Sequence, residues 1–122
     1  MSEQHLLADA RIRLLEGARR VIRLPRREAW AWAAEFERCQ DSAFTMFVLP
    51  QEPMDVNRWT HCKVWVLVEE AEEFLTVGSR FVFKFQTLST PPELIGEGIV
   101  EAVHQVTHRE LSDLFGDVRR LF

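Results

Sequence analysis

Apolar and polar residues alternate along several short stretches of this chain, and such alternation is typical of β-strands that bury one face. The clearest examples are Ala29–Phe36, Cys62–Glu69 and Phe81–Phe85. In the first stretch aromatic residues recur at every second position. This favours a strand, although the intervening alanines would also fit a helix. Two further β-rich runs, Phe44–Leu49 and Leu94–Val106, complete the set of clear strand predictions.

The first part of the chain is open to two interpretations. Residues 8–15 alternate apolar and charged positions, which favours a strand, but leucine, alanine and arginine are also good helix formers and Gly17 could end a helix. Residues 1–7 are expected to be a flexible lead. The segment 50–61 holds two prolines together with Asp55 and Asn57, so we expect a loop there.

The last strand contains two glycines, and after it the spacing of apolar residues changes from that of a strand to that of a helix. Gly96 and Gly98 are expected to bend or bulge the Leu94–Val106 strand. From Thr107 onward apolar residues follow helical spacing, and Thr107 with Glu110 forms a capping-box pattern. We therefore predict an amphipathic helix over residues 107–122 with Gly116 inside it, docked on the preceding strands or on a partner.

These elements predict a mainly β protein: a small closed antiparallel β-barrel of about six strands over residues 8–106, with a C-terminal amphipathic α-helix. A barrel leaves no open sheet edges. The chain has 122 residues, which is enough for a single domain with its own core.

Six short motifs occur in the order found in one known family. They are Ala10-Arg-Ile-Arg-Leu-Leu15, Gly17-Ala-Arg19, Arg26-Arg27, Val64-Trp-Val66, Val77-Gly-Ser-Arg-Phe81 and Ile95-Gly-Glu-Gly-Ile-Val100. With these motifs the chain resembles the C-terminal β-barrel domain of elongation factor Tu, and short stand-alone proteins similar to it, over about residues 8–104. The resemblance implies a translation-factor-like barrel. The chain has no G-x-x-x-x-G-K-[ST] motif, so no P-loop nucleotide binding or GTPase activity is expected.

The charge and composition of the chain bear on its binding partners and its cellular location. The net charge of −4 argues mildly against non-specific binding to nucleic acid or to anionic membranes. No run of residues approaches a membrane span, and the N-terminus lacks the pattern of a signal peptide. Cys39 and Cys62 are far apart and are interpreted as buried free thiols. A cytoplasmic protein without membrane association is the expectation.

No catalytic or metal-binding pattern stands out. The four histidines (His5, His61, His104 and His108) do not follow a metal-ligand spacing, and His61 and Cys62 should point to opposite faces of a strand. We therefore predict no enzyme activity, no metal and no cofactor. An enzyme that pairs Cys39 or Cys62 with a histidine remains a third hypothesis.

The candidate interaction residues fall into three groups. The first is a basic group. The second is Trp65, which with Leu67 should form an outward apolar patch that either the terminal helix or a partner covers. The third is an acidic run, for which a solvated loop is the alternative. Their members are Arg19, Arg20, Arg23, Arg26, Arg27, Trp65, Glu69, Glu70, Glu72 and Glu73.

The main functional hypothesis is a non-enzymatic module that binds a protein partner, and a homodimer is one option. An acidic immunity-type protein that masks a basic toxin is a specific version of it. The alternative is an RNA- or tRNA-binding barrel that uses the N-terminal arginines, with Arg11 and Arg13 extending the basic stripe.

Overall fold

A computed structural model describes residues 4–116 of the chain. It contains six strands, one α-helix and two short 3-10 helices. The strands are β1 (Gln4–Leu14), β2 (Trp30–Phe36), β3 (Cys39–Pro50), β4 (Trp59–Val66), β5 (Arg80–Phe85) and β6 (Glu93–Thr107). The helix α1 spans His108–Phe115, and the 3-10 helices span Glu16–Arg20 and Glu69–Phe74.

The six strands form one closed antiparallel barrel in the order β1-β4-β3-β2-β5-β6. This confirms the fold class predicted from the alternating pattern. The pairings differ in length: β1 and β6 pair along nearly their whole lengths, whereas β2 and β5 pair only from Ala34↔Phe83 to Phe36↔Phe81. The β2–β5 pairing is therefore the shortest seam of the barrel.

Every second side chain of each strand fills the barrel interior, as expected for a small barrel. Phe81 and Phe83 of β5 pack inside with Phe36 of β2. The two 3-10 helices add buried Ala18 and Ala71 to the same core. The aromatic alternation of β2 and β5 was therefore a correct guide to the buried face.

Strand β6 carries two bulges, which confirms the expected irregularity. Its register against β5 shifts around Ile95, and its register against β1 shifts around Glu101. Gly98 lies against the ring of Phe81, so that a Cβ there would overlap the ring. Glycine thus lets β6 pass close over a buried aromatic side chain.

Helix α1 begins with the predicted capping box. The backbone N–H of Glu110 donates to Oγ1 of Thr107 at 3.1 Å, and the Glu110 carboxylate accepts in return from the Thr107 backbone N–H at 3.5 Å. Gly116 has a φ of +86° and ends the helix, so the prediction that it lies inside a longer helix was wrong. Residues 117–122 of that predicted helix lie outside the described residues.

Three other boundaries differ from the prediction. Residues 4–7 belong to β1 rather than to a flexible lead, because they pair with the end of β6 from Gln4↔Thr107 onward. Strand β4 begins at Trp59, inside the predicted loop 50–61, and ends at Val66 rather than at Glu69. The acidic segment after it is a 3-10 helix, not an open loop.

Candidate functional site

The N-terminal arginines do not form the continuous basic surface that RNA binding would need. Arg11 pairs with Glu101 at 2.9 Å, and Arg13 pairs with Glu97 at 2.7 Å. These pairs arise because β1 lies beside β6, whose outward face is acidic. Each arginine on the outer face of β1 is therefore neutralised by a neighbour on β6.

The arginines that follow β1 are partly neutralised as well. Arg19 pairs with Glu16 at 3.1 Å, and Arg20 contacts the carboxylate of Glu93. The remaining three arginines of this group are Arg23, Arg26 and Arg27. Arg26 donates to backbone carbonyls, whereas Arg23 and Arg27 are exposed and form no ion pair within residues 4–116.

The acidic residues 69–73 have a structural role at one position. One carboxylate oxygen of Glu72 accepts a hydrogen bond from the backbone N–H of Leu6 at 2.8 Å. The pairing of β1 with β4 begins at Ala8, so Leu6 has no partner residue in β4. The Glu72 carboxylate accepts the backbone hydrogen bond that β4 does not. The other three glutamates, Glu69, Glu70 and Glu73, are exposed.

Trp65 is not available to a partner in this structure, because only 1% of it is exposed. It lies on the outer face of β4, stacks on Phe47 at 4.6 Å and meets the ring of Phe115 of α1 edge-on at 6.2 Å. Helix α1 adds the buried Leu111 to this outer cluster. Of the two possible covers expected for Trp65, the terminal helix is the one observed.

The thiol of Cys62 is buried inside the barrel, and burial raises its pKa to about 12, with a smaller contribution from Glu52. His61 beside it faces outward, which confirms that the two point to opposite faces. A thiol with so high a pKa is not a nucleophile at neutral pH. The hypothesis of an enzyme built on Cys62 therefore finds no support in this geometry.

Histidines and carboxylates meet on the outer face of β4, β1 and β6. Asp9 accepts hydrogen bonds from Nζ of Lys63 at 2.8 Å and lies 2.9 Å from Nε2 of His104. The hydrogen bond from Lys63 is the main cause that lowers the pKa of Asp9; burial opposes it, and His104 acts in the same direction as Lys63. Within the described residues no group of three or more histidine, cysteine or acidic side chains could hold a metal ion.

A concavity lies on the outside of the barrel, over β5 and β6, and residues of the other four strands also line it. We call it the β5–β6 groove; it encloses about 720 Å³, within the usual size range of binding pockets. Val82 and Ile99 form its apolar floor. Trp59 and Leu94 stand at its sides with 42% and 40% of their surfaces exposed.

The charged residues around the groove carry both signs in equal number. Three are cations and three are anions: Arg11, Arg80, Lys84, Glu35, Glu37 and Glu97. Most are already compensated within the chain, as in the contact between Lys84 and Glu35 at 3.2 Å.

Two of these groove charges remain uncompensated. Arg80 and Glu37 form no ion pair among residues 4–116, although the Glu37 backbone N–H donates to the Arg80 carbonyl oxygen at 2.9 Å. Arg80 lies in β5 and Glu37 in the turn after β2, so two opposite charges lie beside each other at this end of the groove.

Comparison with known proteins does not assign the chain to a family. No model of a known protein family matches the chain, and no curated protein is significantly similar to it. None of the helices within the described part of the chain has the length and apolar character needed to cross a membrane.

Proposed function

We propose that this protein is a non-enzymatic protein-binding module that uses the β5–β6 groove as its docking surface. The observation that carries the proposal is the combination of an apolar floor, an exposed tryptophan and a rim of both charge signs in one concavity. Aromatic residues beside apolar pockets are typical anchors of protein interfaces, and a polar rim usually surrounds them.

The proposal favours protein over RNA because of the charge around the groove. Its cations and anions cancel, whereas an RNA surface needs an excess of lysine and arginine that contacts phosphates. RNA binding through the N-terminal arginines stays a prediction of the sequence. Of these arginines Arg11 alone lines the groove, so RNA would use a largely separate surface.

We also propose that the barrel is related to the C-terminal domain of elongation factor Tu and acts without GTPase activity. The two most specific motifs, Val77–Phe81 and Ile95–Val100, lie in and beside β5 and β6. The groove therefore lies on the part of the chain that carries the resemblance. A cytoplasmic setting fits the two free cysteines.

Site-specific photocrosslinking in the cells that produce the protein tests the docking surface. A photoreactive amino acid at Val82 should give discrete covalent adducts, because Val82 lies in the floor of the groove. The matched control is the same substitution at Ala43, an exposed residue of β3 away from the groove. Adducts that are missing at Val82, or equally strong at Ala43, would contradict the proposal.

A further inference from the structure

We propose that the C-terminal end of β6 is a second protein-binding site, where an extended segment of a partner protein adds to the sheet as a further strand. This end of β6 does not line the β5–β6 groove, and the inference does not depend on the proposed function. It rests on a stretch of strand edge whose backbone groups are unpaired within residues 4–116.

The two neighbours of β6 pair with it over different lengths. Strand β1 pairs with β6 as far as Thr107, whereas the pairing with β5 ends at Ile99. The residues just before β5 add two backbone hydrogen bonds: the Gly78 N–H donates to the Val100 carbonyl at 2.8 Å, and the Val100 N–H donates to the Ser79 carbonyl at 2.9 Å. Beyond Val100, none of residues 4–116 pairs with this side of β6.

A turn before β5 explains why the pairing stops there. Gly78 has a φ of +87°, and the Ser79 N–H donates to the Thr76 carbonyl at 2.9 Å, so the chain bends away from β6 at this point. Val77 beside the turn is 69% exposed. The line of β5 is therefore open opposite the end of β6, next to an exposed apolar side chain.

The contact between Leu6 and Glu72 shows which backbone groups of β6 face the open side. The Leu6 N–H donates to the Glu72 carboxylate and so does not bond to Gln105, its register partner in β6. Antiparallel residue pairs alternate between hydrogen-bonded and non-hydrogen-bonded. The pairs Leu6–Gln105 and Ala8–Val103 are therefore of the second kind. The N–H and C=O groups of Val103 and Gln105 consequently point away from β1, toward the open side.

This edge lacks the features that usually protect a free strand. Proteins block such edges with lysine or other charges, with proline, or with a covering element. Residues 102–107, Ala-Val-His-Gln-Val-Thr, contain no lysine, arginine, acidic residue or proline. Helix α1 does not cover the edge, because it packs toward Trp65 of β4, beyond β1. On the β1 side, by contrast, the Glu72 carboxylate occupies the Leu6 N–H.

The surroundings of the edge define the chemistry of the partner. An added strand bonds through its backbone, and its alternate side chains determine the specificity. On one face they lie beside Val103, which packs against the barrel core. On the other face they lie beside His104, which is exposed and 2.9 Å from Asp9. The expected partner is therefore an extended segment of alternating apolar and polar residues, with basic residues favoured by the net charge of −4.

Amide hydrogen exchange measured by NMR tests the open edge in the unmodified protein. The amides of Val103 and Gln105 should exchange at least about tenfold faster than those of His104 and Val106, because the latter bond to β1. The fast and slow amides should thus alternate along one strand. Equal protection of all four amides would show that the edge is not open.

A designed peptide tests strand addition. The probe is a short synthetic peptide in which valine and threonine alternate, with lysine at both ends. It should slow the exchange of the Val103 and Gln105 amides at least about tenfold at saturation. The same peptide N-methylated along its backbone keeps its side chains but has no N–H donors, and it should bind at least about tenfold more weakly.

A proline variant tests the same contact from the side of the protein. Gln105→Pro removes an N–H that faces the open side, and proline is tolerated at such positions of edge strands. This variant should give the circular-dichroism spectrum of the original and bind the peptide at least about tenfold more weakly. Gln105→Thr, which keeps the N–H, is the matched control and should bind like the original.

Several results would overturn the inference. They are a peptide that leaves the exchange of Val103 and Gln105 unchanged, or binding that persists in full after N-methylation of the peptide or in a folded Gln105→Pro variant. Protection of these two amides that rises with protein concentration alone would assign the edge to a second copy and not to a foreign segment. Crosslinking at Val82 reports on the groove and is independent of all these results.

Discussion

The barrel interior and the cluster beneath α1 are both apolar, but they are enclosed in different ways. The interior is surrounded by six hydrogen-bonded strands that close on themselves. The outer cluster of Leu7, Trp65, Val106 and Leu111 lies outside the sheet and is covered by a helix of eight residues. The interior therefore depends on the whole fold, whereas the outer cluster depends on one terminal element.

From this comparison we expect the largest loss of folding stability for a substitution inside the barrel. Phe81→Ala should lower the free energy of unfolding by about 3–5 kcal/mol, because it leaves a cavity against Phe36, Phe83 and Gly98 that the closed sheet cannot fill. Urea unfolding measures the loss. Val82→Ala on the outer face of the same strand is the control and should cost below about 1 kcal/mol. Equal losses would show that the interior is no more constrained than the surface.

We expect a smaller loss of stability for a substitution in the outer cluster beneath α1. Leu111→Ala should cost about 2 kcal/mol, the low end for a buried leucine, because α1 can undock without opening the barrel. Hydrogen exchange should show lost protection in α1 with the strands still protected. Leu114→Ala on the exposed side of α1 is the matched control and should change stability by less than about 0.5 kcal/mol. Lost protection in the strands as well would make helix and barrel one cooperative unit.

We expect the smallest change in stability for a substitution on the polar outer face of the barrel. The pKa of Asp9 is lowered in the folded protein, so its contribution to stability is complete above the ordinary value of 3.8 and is lost as the pH falls below it. Asp9→Asn should therefore be slightly less stable than the original at neutral pH, and the two stabilities should converge in acid. Urea midpoints measured across this pH range test the convergence.

The control for Asp9 is Asp41→Asn, an exposed carboxylate of β3. It should leave the difference between neutral and acidic stability unchanged. If the difference between Asp9→Asn and the original persists in strong acid, the effect of the substitution is steric and not electrostatic.

Local signals explain what the sequence predicted well. The alternation of β2 and β5 and the capping box at Thr107 each depend on residues within a few positions of one another, so they can be read without knowing the fold. The covering of Trp65 was also foreseen as one of two outcomes. Both faces of β4 are apolar, so each needs a cover, and the segment after β6 has the pattern of an amphipathic helix that can provide one.

Features that depend on strand pairing were not predictable in the same way. The neutralisation of Arg11 and Arg13 follows from the register between β1 and β6, which lie at opposite ends of the chain. The groove was missed for the same reason, because all six strands contribute residues to it. Residues 4–7 escaped notice because Leu6 and Leu7 are both apolar: Leu6 packs against the barrel core and Leu7 against the outer cluster, so no alternation results.

The short β2–β5 seam also bears on how the barrel forms. Strands β2 and β3, like β5 and β6, are neighbours in sequence, whereas the seam joins two such hairpins across a long stretch of chain. With three residue pairs to offset the entropy of loop closure, we expect this pairing to form late in folding. Until then β2 and β5 are the free edges of an open sheet, and free edges invite pairing with other chains. Those three residue pairs therefore separate productive refolding from aggregation.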